Sequence, residues 1–277
     1  MDGRQKEVAQ HYAAFGQREP ILAALKKRGL DPAAVTPDDL APFDQFHTGG
    51  APATRATADL LAPAPGDHIL DVGSGLGGPA RMLAKIKRCR VTGLDLAPHF
   101  VENAVFFTGL TRQQDRVVFH QGSATALPFA DASFDGAWHL HMCMNVADKA
   151  AMYAEIFRVL KPGARFALHD PFRGAAGEMA FPVPWAERPE MSFLWTPGEM
   201  RKGLAAAGFS VISEHDATEE GLAHYAVLDA ARRSSSPDKP AAARPPTPLE
   251  TMSKNHRANL ASGAVIILSA LAQKPCS

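Results

Sequence analysis

Cysteine is scarce in this chain of 277 residues. Cys89, Cys143 and Cys276 stand far apart and share no paired spacing, which excludes a disulfide framework and a structural zinc site and leaves reduced thiols as the simplest reading. An excess of charge is missing as well. Lys+Arg and Asp+Glu balance at 29 each, so there is no basic field to neutralise the phosphates of a nucleic acid. Long hydrophobic runs are also lacking: the N-terminus MDGRQKEVAQ is polar, with no apolar targeting core, and the stretch Ala264 to Ala272 is too short to span a bilayer. These absences predict a cytoplasmic protein without nucleic-acid or membrane partners. The 46% hydrophobic content is enough for one large core, and no internal repeat divides the chain.

Residues 1–65 read as a helical cap, with Val8, Tyr12 and Phe15 on one face and Ile21, Leu22 and Leu25 on the next amphipathic stretch. From His68 the pattern changes to short apolar runs alternating with helical segments: HILDV, RVTGLD, VVFHQ and FDGAWHL, then ARFALHD after a Lys-Pro-Gly turn, completing five strand–helix steps. FSVISEH and a returning AVIILSALA bring the total to seven strands. The expectation for residues 66–277 is therefore an α/β, doubly wound, mostly parallel seven-stranded sheet of Rossmann-like form. A helix is expected to start near Asp148, and Thr196-Pro-Gly-Glu199 is a capping box with proline at the first helical position. Asp216 and Glu219 offer a second such start. Residues 234–248 (SSSPDKPAAARPPTP) hold five prolines and no apolar periodicity, which predicts an exposed flexible loop.

The segment Ile69-Leu-Asp-Val-Gly-Ser-Gly-Leu-Gly-Gly78 is an apolar strand that ends at a carboxylate and runs through a glycine turn into a helix starting at Pro79. Such a turn lets a ligand approach bare backbone. Asp95, 24 positions after Asp71 and at the end of the second strand, can accept both hydroxyls of an adenosine ribose. Gly73, Gly75 and Gly78 also satisfy the dinucleotide fingerprint Gly-x-Gly-x-x-Gly, so an NAD(P)-dependent oxidoreductase is an alternative, and a turn without ligand is a third reading. Charge separates the first two. A pyrophosphate at the helix N-terminus would be repelled by Asp71, whereas S-adenosylmethionine has no phosphate and carries an ammonium and a sulfonium that a carboxylate attracts.

At this point the chain resembles the class I S-adenosylmethionine-dependent methyltransferases, over roughly residues 45 to 215. Asp71-Val-Gly-Ser-Gly-Leu-Gly77 looks like that family's first motif and Asp95 like its ribose-binding acid. Gly122-Ser-Ala-Thr-Ala-Leu-Pro-Phe129 looks like its adenine loop, and Leu160-Lys-Pro-Gly163 like the turn before strand five. The resemblance implies S-adenosyl-L-methionine as cofactor, S-adenosyl-L-homocysteine as product and no metal. It implies cofactor contacts from Asp71, Gly73, Ser74, Gly75, Gly77, Asp95, Leu96, Ser123 and Ala124. Ser123 stands where the family usually has Asp, so a hydroxyl would meet the adenine amino group, with the Ala124 amide facing the ring. Upstream, Asp44-Gln-Phe-His-Thr-Gly-Gly50 and Ala53-Thr-Arg55 are similar to a segment of the small-molecule branch that methylates glycine derivatives (sarcosine, dimethylglycine) and phosphoethanolamine. There it borders the methionine end of the cofactor, which adds Thr48 and Gly49. Trp138 to Asp148 lies where that branch places its catalytic segment; a histidine often aligns with Asn145 and an acid with His141, and both identities differ here.

Methyl transfer from a sulfonium is an in-line displacement with a neutral leaving group, so positioning supplies most of the rate. A base matters only for a protonated amine or a hydroxyl. His139 and His141 follow strand four, two apart and so oppositely directed. His141 is the preferred base, with His139 nearer the cofactor, and packed strand-end histidines are the plain alternative. His47 either touches the acceptor or holds the upstream segment; Asn145 either bonds an acceptor or caps the following helix; His169 is core or supporting. Residues 171–195 hold Phe172, Arg173, Phe181, Pro184, Trp185, Phe193 and Trp195, too aromatic for a plain linker, and predict a lid insertion. Arg173 is a candidate for an anionic acceptor. Trp185 and Phe193, with Tyr12, Phe46 and Met142, are candidates for the acceptor wall. The reading is a methyltransferase, monomer or homodimer, acting on nitrogen or oxygen, with carbon as a third choice, of a small molecule. An S-adenosylmethionine-binding protein without turnover competes with it.

Overall fold

In the computed structural model, which describes residues 3–13, 15–234 and 247–276, the alternation that begins at His68 closes into one seven-stranded sheet of order β3-β2-β1-β4-β5-β7-β6. Strands β1 (His68–Val72), β2 (Arg90–Asp95), β3 (Val117–Gln121), β4 (Phe134–Leu140) and β5 (Leu160–Arg173) run parallel. β7 (Val265–Gln273) lies antiparallel between β5 and β6 (Ser210–Asp216). The central strands are buried on both faces, so they read as continuous apolar runs. Leu70, Val72 and Phe166 face Tyr153 and Ile156 of one core, while Ile69, Val91 and Trp138 face Leu61 and Leu83 of the other.

Helices α1 (Gly3–Tyr12), α2 (Arg18–Lys27), α3 (Pro37–Asp44) and α4 (Gly50–Leu61) form the N-terminal part. The crossover helices are α5 (Gly78–Lys87), α6 (Pro98–Leu110), α7 (Lys149–Val159), α8 (Pro197–Ala206), α9 (Thr218–Ser234) and α10 (Pro248–Ser262). Local chemistry sets several starts. Asp148 accepts the Ala151 amide to open α7, and Thr196 forms the expected capping box with Glu199 for α8.

Four expectations need correction. The β3–β4 connection, residues 122–133, carries no helix, which breaks the fivefold alternation. The Lys-Pro-Gly segment is not a turn before β5 but part of it, taken up as an irregularity between the pairs Phe134↔Leu160 and Gly136↔Arg165. At its far end β5 stays paired with β7 as far as Arg173↔Val265, so the insertion begins after residue 173 and not at 171. Asp216 ends β6 and its Oδ1 accepts the Thr218 amide, so α9 starts without a capping box. The proposed flexible loop lies mostly outside the described residues. Its last two positions, Thr247 and Pro248, open α10 through a capping box with Glu250 that the periodicity did not reveal.

Candidate active site

The strand order reverses between β1 and β4, and a cavity of about 900 Å³ opens at the carboxyl ends of these strands, the usual ligand position in doubly wound sheets. At its nucleoside end the glycine turn is pinned to β2: the Gly73 and Ser74 amides both donate to the Leu94 carbonyl, at 2.7 and 3.0 Å. Gly75 has φ +51°, and a Cβ there would meet nothing within 4 Å, so this residue leaves bare backbone beside the cavity. Its amide donates to Asp95 Oδ2 at 2.8 Å while the Ala97 amide donates to Oδ1 at 2.9 Å. Each carboxylate oxygen keeps a second lone pair, which suits a vicinal diol. Ser74, Leu96, Ser123 and Ala124 also line the cavity.

Four expected cofactor residues do not line the cavity: Gly77, Gly49, Asp71 and His139. A Cβ at Gly77 would meet the Phe119 ring at 2.4 Å, so this glycine serves the packing of α5 on β3. Gly49 caps α4 and is not among the lining residues. Asp71 is 2% exposed and lies behind the turn, with Oδ2 buried and unbonded among the described residues. Burial, then the neighbouring Asp95, push its carboxyl up to about 8, against the lowering effect of Trp138. Asp71 therefore lies behind the wall, holds its proton near neutral pH and is not a contact.

A pair that sequence reasoning missed separates the two cofactor classes. Arg81, fully buried on α5, donates to Asp44 Oδ2 at 2.7 Å, to the Leu76 carbonyl at 2.7 Å and to Thr108 Oγ1 at 3.0 Å. The other Asp44 oxygen lies so close to Gly78, the first residue of α5, that a Cβ there would stand 2.4 Å from it. The helix N-terminus where a pyrophosphate would bind already faces a carboxylate.

At the other end, three histidines converge on Thr48. Its amide donates to His141 Nε2 at 3.1 Å, its carbonyl accepts from His169 Nε2 at 3.0 Å, and its hydroxyl is 2.9 Å from His256 Nε2. His141 Nδ1 in turn donates to the His169 carbonyl at 3.2 Å, so both of its nitrogens are committed. His141 has φ +49°, a left-handed conformation held by the bond from its amide to the His169 carbonyl. Buried among His169, His47 and His256, its imidazole is held well below the usual histidine range. The expected base is thus a neutral ring whose lone pair is already used. His139 is fully buried and lies off the cavity: its Nδ1 donates to Asp170 Oδ2 at 2.5 Å, while Asp170 Oδ1 accepts the Met142 and Cys143 amides at 2.8 and 3.0 Å. Asp170 shapes the turn after β4; it was visible in the sequence only as the residue after His169.

His47 differs from these. Its Nε2 donates to the Gly50 carbonyl at 3.0 Å and lies 3.0 Å from Thr54 Oγ1, whose proton goes to Gln45 Oε1 at 2.6 Å. This fixes the tautomer and leaves Nδ1 with its lone pair, neither sealed nor hydrogen-bonded among the described residues. Burial lowers the ring to about 3, with His169 and His224 adding to the effect.

The roof joins α1 to the insertion. Gln5 Nε2 donates to Ser123 Oγ at 3.0 Å, and His11 Nε2 to the Pro184 carbonyl at 2.9 Å. Glu7 pairs with Arg188. Tyr12, Phe46, Met142, Trp185 and Phe193 line the cavity as expected. Asn145 also lines it and does not cap α7; its Nδ2 donates to the Tyr12 hydroxyl at 3.0 Å. The buried Lys149 donates to the carbonyls of Val146 (2.6 Å) and Phe193, tying the insertion to the start of α7. Arg173 is exposed, pairs with Glu199 at 3.3 Å and does not reach the cavity. Sequence reasoning also missed His224 and Tyr225 of α9 and His256 of α10. No local motif marks them, because only the antiparallel return of β7 brings these helices to the site.

Residues 70–168 match the family described as Methyltransferase domain. The O-methyltransferase cnsE of Penicillium expansum is 40% identical over 117 residues, 42% of this chain and 42% of that protein, so the chain spans about two fifths of this relative's length. Among solved structures, phosphoethanolamine N-methyltransferase 2 of Haemonchus contortus with phosphomonomethylethanolamine and S-adenosylhomocysteine has a TM-score of 0.71. It is 20% identical, over 84% of this chain and 54% of that one. Geranyl diphosphate C-methyltransferase of Streptomyces coelicolor A3(2) has a TM-score of 0.72 and 17% identity, over 99% and 98% of the two chains. These likenesses establish the doubly wound fold. Among the described residues no helix is long and apolar enough to cross a membrane, and no three His, Cys, Asp or Glu side chains are placed to hold a metal ion.

Proposed function

We propose that the chain transfers a methyl group from S-adenosylmethionine to a hydroxyl or amine of a small molecule. The observation that carries this reading is the carboxylate of Asp44 against the first turn of α5, beside a glycine turn whose Gly75 amide holds Asp95. A phosphate-bearing nucleotide would be repelled there. An adenosine without phosphate is accommodated, its ribose by Asp95. S-adenosylmethionine, when bound, supplies an electrophilic methyl whose bonding pair stays with sulfur. The protein's part is to position the acceptor, to exclude water under α1 and residues 174–195, and to take up the proton that the acceptor loses. His47 Nδ1 is the acceptor for that proton, with the ring oriented by the Gly50 carbonyl. His141, with both nitrogens committed, positions Thr48.

Calorimetry with S-adenosylhomocysteine and NADH tests the cofactor, and methyl-label transfer to a fractionated metabolite extract tests turnover. Uptake of the homocysteine derivative alone, with label in a small molecule, is expected. Binding of NADH in its place ends the proposal; cofactor binding without label in any fraction leaves a protein that holds the cofactor without turnover.

A further inference from the structure

Resting on the methyl-transfer reading above, we infer that the acceptor is an uncharged molecule with an extended apolar body and a hydroxyl as its nucleophile, admitted through a mouth formed by Phe46, Leu228 and Leu249. Charge comes first. Arg4 is the one guanidinium or ammonium among the lining residues, and it lies exposed on α1 with its guanidinium 5.9 Å from the centre of the Phe193 ring. Arg173, the cation expected to meet an anion, pairs with Glu199 outside the cavity. The histidines cannot replace it, since burial shifts His47, His141, His224 and His256 toward their neutral forms. A phosphate or carboxylate would lose its water without gaining a paired cation.

A protonated amine fares little better. Asp44 is held by Arg81, Asp95 by two backbone amides, and Asp148 and Glu250 by the helix starts they cap. The neutral remainder of the acceptor wall includes the large apolar and aromatic side chains of Met144, Trp185, Phe193 and Tyr225.

The mouth gives an independent observation. The large exposed apolar side chains among the described residues are Phe46, Val105, Val118, Ile212, Val227, Leu228 and Leu249. Such residues are unremarkable when scattered singly. Here Phe46 (57% exposed), Leu228 (37%) and Leu249 (55%), from the upstream loop, α9 and α10, line one cavity, and Val227 adjoins them in sequence. A polar acceptor of the size of a free amino acid has no use for that rim, whereas an apolar body reaching outward from the reacting hydroxyl covers it.

The test is a calorimetric titration of the full chain, saturated with S-adenosylhomocysteine, with 4-alkylphenols from methyl to octyl. Affinity is expected to rise roughly fourfold for each methylene buried, and the Leu228→Glu, Leu249→Glu double variant is expected to flatten that rise. The matching 4-alkylphenyl phosphates and 4-alkylbenzylamines are expected to bind at least about tenfold more weakly. A flat phenol series, absence of phenol binding included, or a phosphate or amine that binds as tightly as its phenol, overturns the inference. Failure to bind S-adenosylhomocysteine in the first step strikes the cofactor reading, whereas normal cofactor uptake with a flat series strikes only the acceptor class.

Discussion

At the nucleoside end of the cavity the contacts come from residues at strand ends, Gly73 to Gly75 after β1 and Asp95 at the end of β2. At the acceptor end they come from α1, the loop before α4, the insertion after β5, α9 and α10. The first end is backbone: a carbonyl of β2 holds two amides of the turn, and Asp95 is fixed by amides of Gly75 and Ala97. The second is side chains holding a loop, with three histidines on Thr48 and the fourth, His47, left with a free nitrogen. A ligand common to many acceptors can be met by a local motif, and a particular acceptor needs parts brought from across the chain.

The largest expected effects are a crossed pair that would break this division if they failed to separate. His47→Phe should lower the turnover number on the order of 10²-fold, the lower range for a lost proton acceptor, and leave the dissociation constant of S-adenosylhomocysteine within about twofold. Asp95→Ala should do the opposite first. Two charge-assisted hydrogen bonds to the ribose are lost, which weakens S-adenosylhomocysteine on the order of 10²-fold in calorimetry. If His47→Phe weakens the cofactor as much as Asp95→Ala does, the two ends are one unit and the assignment of His47 to the acceptor side is wrong.

A smaller effect tests the roof. Lys149→Met removes the donor that joins the Val146 and Phe193 carbonyls and leaves both half-buried acceptors without it. At roughly 1 to 3 kcal/mol for each unsatisfied group, less what relaxation recovers, the expected loss is about 2 kcal/mol in urea unfolding. Limited proteolysis should at the same time cut residues 174–195 more readily. Unchanged stability and unchanged cleavage would mean that Lys149 does not hold the insertion.

The contrast between the ends also governs what could be read in advance. The sheet was legible because five parallel strands, buried on both faces, appear as apolar runs between helices, and the glycine turn with Asp95 was legible because its parts lie on adjoining strand ends. The boundaries that went astray were set by partners distant in sequence. β5 runs on to Arg173 because β7, about a hundred residues later, pairs with it, and the Lys-Pro-Gly segment stays in the strand through a register shift against β4. The roles of the histidines were hidden for the same reason. His141 and His47 look alike in the sequence, and only their hydrogen bonds to Thr48, His169 and Gly50 decide which keeps a lone pair. No local pattern sets Arg81 apart within its helix; its burial against Asp44 requires the folded positions of α3 and α5.

The smallest expected effect sharpens the comparison most, because the two ends should respond to pH with opposite sign. His47 is lowered to about 3 and His256 to about 4 from an ordinary 6.5. Between those values and 6.5 the unfolded chain binds protons that the folded one refuses, so stability is full above pH 6.5 and falls as the solution becomes more acid. Asp71, at the nucleoside end, is raised to about 8 from 3.8, and Asp44 and Asp95 are raised in the same direction. There the folded state holds the extra proton, so stability falls as pH rises toward 8. The melting temperature of the free protein should therefore peak near pH 6.5. His47→Gln should make the acid limb shallower without touching the alkaline limb, whereas Asp71→Asn should flatten the alkaline limb and, because its window from 3.8 to 8 overlaps that of the histidines, make the acid limb steeper. A single variant that flattened both limbs would show that the buried charges at the two ends are coupled through the cavity.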